Sequence, residues 1–138
     1  MGLAPEKIAL LDGFAKQAYQ SVGIARDAGV KLASGSDVVG PWQGRRGEEM
    51  MYKARVLGAH EAIISATRVN AELFMLEDEI GTVEIGKRAD LVLVKGEPLD
   101  DITLMSEPDN VVAVLQDGVV VKDTEARAAV SHAGRIGV

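Results

Sequence analysis

Apolar residues recur at spacings of three and four along the first thirty positions: Ile8, Leu11, Ala15, Ala18, Val22 and Ala25. That period predicts one apolar face of an amphipathic helix. Pro5 and Glu6 suit its first turn, and Gly29 stands where a left-handed residue ends it. A short apolar run, residues 30–34, follows at once and predicts a strand. A helix that stops at a glycine and feeds an apolar strand is half of an α/β repeat. The strand leaves through Gly35-Ser36-Asp37, which puts a carboxylate at its C-terminal end.

Residues 38–47 hold three glycines, a proline, the single tryptophan and the pair Arg45-Arg46, and read as a loop. Helices are predicted over 48–57, ended by Gly58, and over 60–76, with a break near Arg68–Asn70. From Ile80 the pattern changes. A turn-rich stretch leads to the strand Leu91-Val92-Leu93-Val94, a loop follows, and residues 111–115 and 119–121 form a hairpin across Asp117-Gly118. Two units are expected: a helix-rich α/β unit over 1–76 and a small β unit over 77–123, with a weakly ordered tail over 124–138.

Composition narrows the chemistry. The 138 residues carry a net charge of −6, which argues against a nucleic-acid partner. Cysteine is absent, which removes disulfides, thiolate metal sites and a cysteine nucleophile. No apolar run reaches the ~20 residues of a membrane span, and no secretory pattern opens the chain. A soluble cytoplasmic protein is the expectation. Aromatic residues make up only 4%, so the core must be built from Ala, Val, Leu and Ile.

Asp37 is the outstanding candidate for catalysis. A carboxylate at the C-terminal end of a strand can ligate a divalent cation and take a proton from water. Partners for it are missing. The two histidines, His60 and His132, lack the spacing of a zinc site; His60 reads as a helix-start residue and His132 as a solvated tail residue. No serine lies in a nucleophile elbow, and Gly44-Arg45-Arg46-Gly47 is not followed by the Lys-Ser/Thr of a phosphate loop. Trp42 and Arg45, on the loop after Asp37, are either an edge cap with a solvated cation or substrate contacts, since loops at strand ends carry function.

Five motifs then occur in order. Ala28-Gly29-Val30-Lys31-Leu32-Ala33-Ser34-Gly35-Ser36-Asp37 resembles the last barrel strand of the metal-dependent amidohydrolases, whose form is A-G-V-x-(I/L)-A-x-G-(T/S)-D. Glu48-Glu49-Met50 opens a helix like the one after that strand's loop. Residues 62–72 are similar to the family's E-A-L-x-A-A-T-x-N-A-A segment. Residues 80–92 resemble I-G-(S/T)-(L/I)-E-x-G-K-x-A-D-(L/I)-V, and 110–118 the strand before its K-(D/N)-G turn. The likeness covers about residues 6–123 and looks most like the imidazolonepropionase and prolidase-like branch.

The resemblance implies the last strand and flanking helices of a (β/α)8 barrel plus part of a small β-sandwich. It implies that Asp37 is a metal ligand and general base on the hydrolytic water, that Asp90 belongs to a structural turn, and that Trp42 and Arg45 sit over the pocket without an assigned role. The family's H-x-H pair, its mid-barrel lysine or acid and its two later strand histidines have no counterpart in this sequence. The expectation is therefore a C-terminal portion of an enzyme that hydrolyses a small amide or dipeptide. Its divalent metal, zinc by habit of the family, would be held only once a complementary barrel portion is present. The alternatives are a non-catalytic truncated module that self-associates, and an independent small α/β binding domain.

Overall fold

The computed structural model describes residues 4–124. Helix α1 (Pro5–Asp27) begins with proline in its first turn, where the missing N–H costs nothing. It ends in a Schellman motif: Gly29 adopts φ 72°, its N–H donates to the Arg26 carbonyl at 2.9 Å, and the Val30 N–H donates to the Ala25 carbonyl at 3.0 Å. The predicted apolar face is largely bare. Ala15 and Ala18 are exposed, Val22 and Ala25 half-buried, and the side chains of Ile8 and Leu11 lie outside the described ones.

Residues 30–39 form no strand, contrary to expectation. A strand exists only through ladder bonds to a neighbour, and among the described residues no other strand lies beside this run. After it comes a 3-10 turn, Gly40–Arg45, and then α2 (Glu48–Leu57), with two glutamates in its positive first turn and Gly58 at φ 86° after its end. Helix α3 (Ala59–Ala66) and helix α4 (Arg68–Leu73) are parted at Thr67, just ahead of the predicted break. The Thr67 hydroxyl donates to the Ile63 carbonyl at 2.8 Å, drawing the chain off the helical path.

Helix α4 ends three residues short of the predicted Leu76. Met75 takes the left-handed position at φ 58°, and the Leu76 N–H closes back on the Ala71 carbonyl at 2.9 Å. The following turns are tied by Arg88, whose guanidinium pairs with Glu79, and by Lys87, which donates to Thr82.

Strands β1 (Leu91–Val94), β2 (Val111–Gln116) and β3 (Val119–Asp123) form an antiparallel sheet in that order. Asp117 and Gly118 both have positive φ, 51° and 77°, as a two-residue type I′ hairpin needs. Asp90, expected in a structural turn, accepts the Asp117 backbone N–H at 2.6 Å and so pins the hairpin tip. Helix α2 packs on α1, α3 and the 102–106 turn. The buried described residues are Ala62, Ser65, Ala71 and Val112, a thin core. Among the described residues no helix is long and apolar enough to cross a membrane. Of the predicted tail, 124–138, residues 125–138 with His132 lie outside the described residues.

Candidate active site

The run that carries Asp37 lacks a strand neighbour, and side chains from α2 and α4 take that place. The Asn70 side-chain amide accepts the Ser34 N–H at 2.8 Å and donates to the Ser34 carbonyl at 2.9 Å. Glu49 Oε1 accepts from Ser34 Oγ at 2.7 Å and from the Gly35 N–H at 2.9 Å. Lys53 Nζ, one turn on, lies 3.3 Å from Glu49 and donates to the Ala33 carbonyl at 2.5 Å. Lys31 pairs with Glu72 at 2.6 Å, and this hydrogen bond holds the Glu72 carboxyl below its ordinary range. Backbone from Ala33 to Gly35 is thus fixed from both helices.

Asp37 follows two residues later at φ 50°, a left-handed conformation uncommon outside glycine but tolerated by aspartate. Its side chain is exposed and has no hydrogen-bond or ion-pair partner among the described residues. Its neighbours Ser36 and Val38 line a hollow of about 310 Å³ with Trp42, Arg45, Glu48 and Tyr52. Asp37 is not itself a lining residue; it lies in the sequence between two that are.

Trp42 and Arg45 are brought together there. The Arg45 guanidinium lies over the Trp42 ring, 5.5 Å from its centroid, a cation–π distance. Glu48 grips the same guanidinium with both oxygens, at 2.5 and 2.8 Å, and Tyr52 donates its hydroxyl to Glu48 at 3.3 Å. The hydrogen bonding of Arg45 to Glu48 depresses the Glu48 pKa and raises that of Arg45.

The donor set for a metal is incomplete. Among the described residues no group of three or more His, Cys, Asp or Glu could hold an ion, and Asp37 belongs to no such group. His60 is exposed on α3 and its Nδ1 sits 3.2 Å from Glu61. A zinc-type site needs three or four donors, so the described residues do not by themselves fit the metal.

Sequence reasoning missed Glu49, Lys53 and Asn70 as the supports of this run. Glu49 and Lys53 read only as part of α2, and Asn70 only as a helix interruption. Their partners in this run lie 14 to 36 residues away, beyond the reach of any local pattern.

The amidohydrolase family's sequence model matches residues 14–121. A crystal structure of a prolidase complexed with N-methylphosphonate-L-proline is 36% identical over 88% of this chain and 30% of that one, with a TM-score of 0.77. A Xaa-Pro dipeptidase with methionine bound in its active site is 36% identical, over 78% and 26% of the two chains, with a TM-score of 0.71. Among curated proteins, the 5-methylthioadenosine/S-adenosylhomocysteine deaminase of Moorella thermoacetica is 54% identical over 39 residues, 28% of this chain. The matches span 9% of that deaminase and less than a third of each solved chain.

Proposed function

The chain belongs to the amidohydrolase family, and from that premise we propose that it is the C-terminal portion of a metal-dependent hydrolase of amide-type C–N bonds. Residues 1–76 are the closing piece of a (β/α)8 barrel, with 30–34 pairing as its last strand once neighbouring barrel strands are present, and residues 77–123 are part of the side β-sandwich. The single observation behind this reading is Asp37: a solvent-facing carboxylate at the end of a run held by side chains of two helices, its sequence neighbours Ser36 and Val38 lining a hollow.

Asp37 does two things in this scheme. It is the chain's metal ligand, and its carboxylate takes the proton of the attacking water and returns it to the leaving nitrogen as the C–O bond forms and the C–N bond breaks. The cation, zinc as first choice, polarises the carbonyl when bound. Its other ligands come from a complementary barrel portion. Trp42 and Arg45 contact the substrate. A dipeptide or small N-acyl amide is favoured over a purine-type substrate, because the prolidase and dipeptidase likenesses extend over most of the chain and the deaminase likeness over 39 residues.

A second reading has its own support. Phe14 is 58% exposed and Ile24 71% exposed on α1, and the described residues lack a metal-ligand group. Such surfaces suit a non-catalytic module that associates through them. One experiment separates the two. The chain is purified alone and mixed with the N-terminal barrel portion of the prolidase relative, then assayed for bound zinc and for Xaa-Pro dipeptide hydrolysis. Zinc and hydrolysis in the mixture alone support the enzyme; self-association with neither supports the module.

A further inference from the structure

We propose that the hollow beside Asp37 is a subsite for an uncharged ring, so that the substrate's ring-bearing side chain stacks on Trp42. The proposal rests on the hydrolase reading only for naming the ring's bearer as an amide-type substrate; the binding does not need the reaction.

Trp42 is the chain's single tryptophan and is 60% exposed. A large aromatic left in water forgoes the stabilisation of burial, so an ordered and exposed one suits a ligand. Order comes from several sources. The ring sits in the 3-10 turn Gly40–Arg45, where Pro41 fixes the backbone. Arg45 lies over it, and Glu48, in the first turn of α2, holds Arg45 by two hydrogen bonds. Tyr52, one turn further along α2, ties its hydroxyl to Glu48 and adds a second aromatic wall. Val38 supplies an aliphatic one.

Charge decides what kind of ring fits. Glu48 offsets Arg45, and Lys53 lies against Glu49, so the walls carry no spare positive charge. Asp37, between the lining residues Ser36 and Val38 in the sequence, adds a negative charge to the same segment. An anionic side chain is repelled, while a neutral planar or saturated ring gains apolar and stacking contact. The volume, about 310 Å³, is at the small end of ligand pockets and suits one side chain.

Trp42 is also the reporter. Its emission is followed in the 138-residue chain during titration with N-acetyl-L-phenylalanine amide, N-acetyl-L-alanine amide and N-acetyl-L-glutamate, with helical circular dichroism as the fold control. The proposal expects a saturable change with the phenyl compound, about tenfold tighter than with the alanine compound, and none with the glutamate. Arg45→Ala, which frees the Trp42 ring, should weaken phenyl binding at unchanged helix content. Equal affinities for the three compounds, or no saturable change in a helical chain, overturn the subsite. Should the chain alone lack helix, the same titration is decisive on the complex with an N-terminal portion carrying Phe for each of its Trp residues. Ring binding without dipeptide hydrolysis in that complex keeps the subsite and rejects the hydrolase reading; hydrolysis without ring preference does the reverse.

Discussion

Asn70 acts as a strand neighbour for Ser34. Its amide oxygen accepts the Ser34 N–H at 2.8 Å and its amide nitrogen donates to the Ser34 carbonyl at 2.9 Å, the same exchange that two opposed residues make in a ladder. Asparagine can do this because its side chain carries one carbonyl acceptor and an NH₂ donor, like a backbone peptide. The geometry puts a fixed point three residues ahead of Asp37.

Replacing Asn70 by leucine removes both bonds and strands two part-buried backbone groups. The expected cost is about 1–2 kcal/mol, read as a lower denaturation midpoint, and it should come with faster amide exchange at Ser34. Asn70→Asp keeps the acceptor for the Ser34 N–H and loses the donor, so it should fall between wild type and Asn70→Leu. Unchanged exchange at Ser34 in the leucine variant would contradict the pairing.

Three carboxylates with lowered pKa values, Glu48, Glu72 and Glu84, shape the acid side of the stability profile. Hydrogen bonds from Arg45 and Lys31 respectively lower the pKa values of Glu48 and Glu72. A depressed folded-state pKa means that the contribution is complete above the ordinary glutamate value and is lost as pH falls through the lower, folded one. Stability should therefore drop on acidification from pH 5 downward, and Glu48→Gln or Glu72→Gln should flatten that limb while leaving its shape above neutrality unchanged. Both pairs are solvent-facing, so the effect should shrink in high salt. Urea midpoints at several pH values provide the check.

Local signals in the sequence survived folding and long-range ones were invisible. Gly29, Gly58 and the Asp117-Gly118 pair mark their turns because each needs positive φ, a demand written in the residue itself. Met75 makes the same left-handed helix end without glycine, so α4 stops where the pattern continues. The 30–34 run has strand composition, yet a strand is a property of two segments, and the described residues supply only one. The apolar face of α1 reads as core and is largely bare for the same reason. The grouping of Trp42 with Arg45 on one loop was legible, while Asp37 stands out in the sequence by its position at the end of the 30–34 run. The supports from Glu49, Lys53 and Asn70 were not, because α2 and α4 reach them only in three dimensions.

Gly81 offers a test of packing between the helices and the turn-rich stretch. It adopts φ 93°, and a Cβ there would stand 2.6 Å from that of Ala71, which is 2% exposed. Gly81→Ala therefore adds backbone strain to an overpacked contact against α4, with an expected loss of about 2–4 kcal/mol. Gly86→Ala has φ 95° and open space, so it should cost only the strain, about 1–2 kcal/mol. Thermal melts of the two variants should rank them in that order, and a reversed order would place the close approach elsewhere.

Asp37 should separate stability from activity. Its carboxylate has no partner among the described residues, and its backbone sits at φ 50°. Asparagine tolerates that conformation, so Asp37→Asn should leave the denaturation midpoint of the chain unchanged. Glycine prefers it, so Asp37→Gly should cost nothing or add up to about 1 kcal/mol of stability. Both variants lose the proton acceptor. In the complex with the N-terminal barrel portion, dipeptide hydrolysis should fall by about 10²–10⁴-fold, the usual worth of a positioned base, and zinc content should fall in the same samples if the carboxylate is also a ligand. A residue kept for structure alone gives the opposite pattern, lower midpoints with proportionate loss of activity. Wild-type zinc content with reduced turnover in Asp37→Asn would assign the carboxylate to proton transfer and remove it from the ligand set.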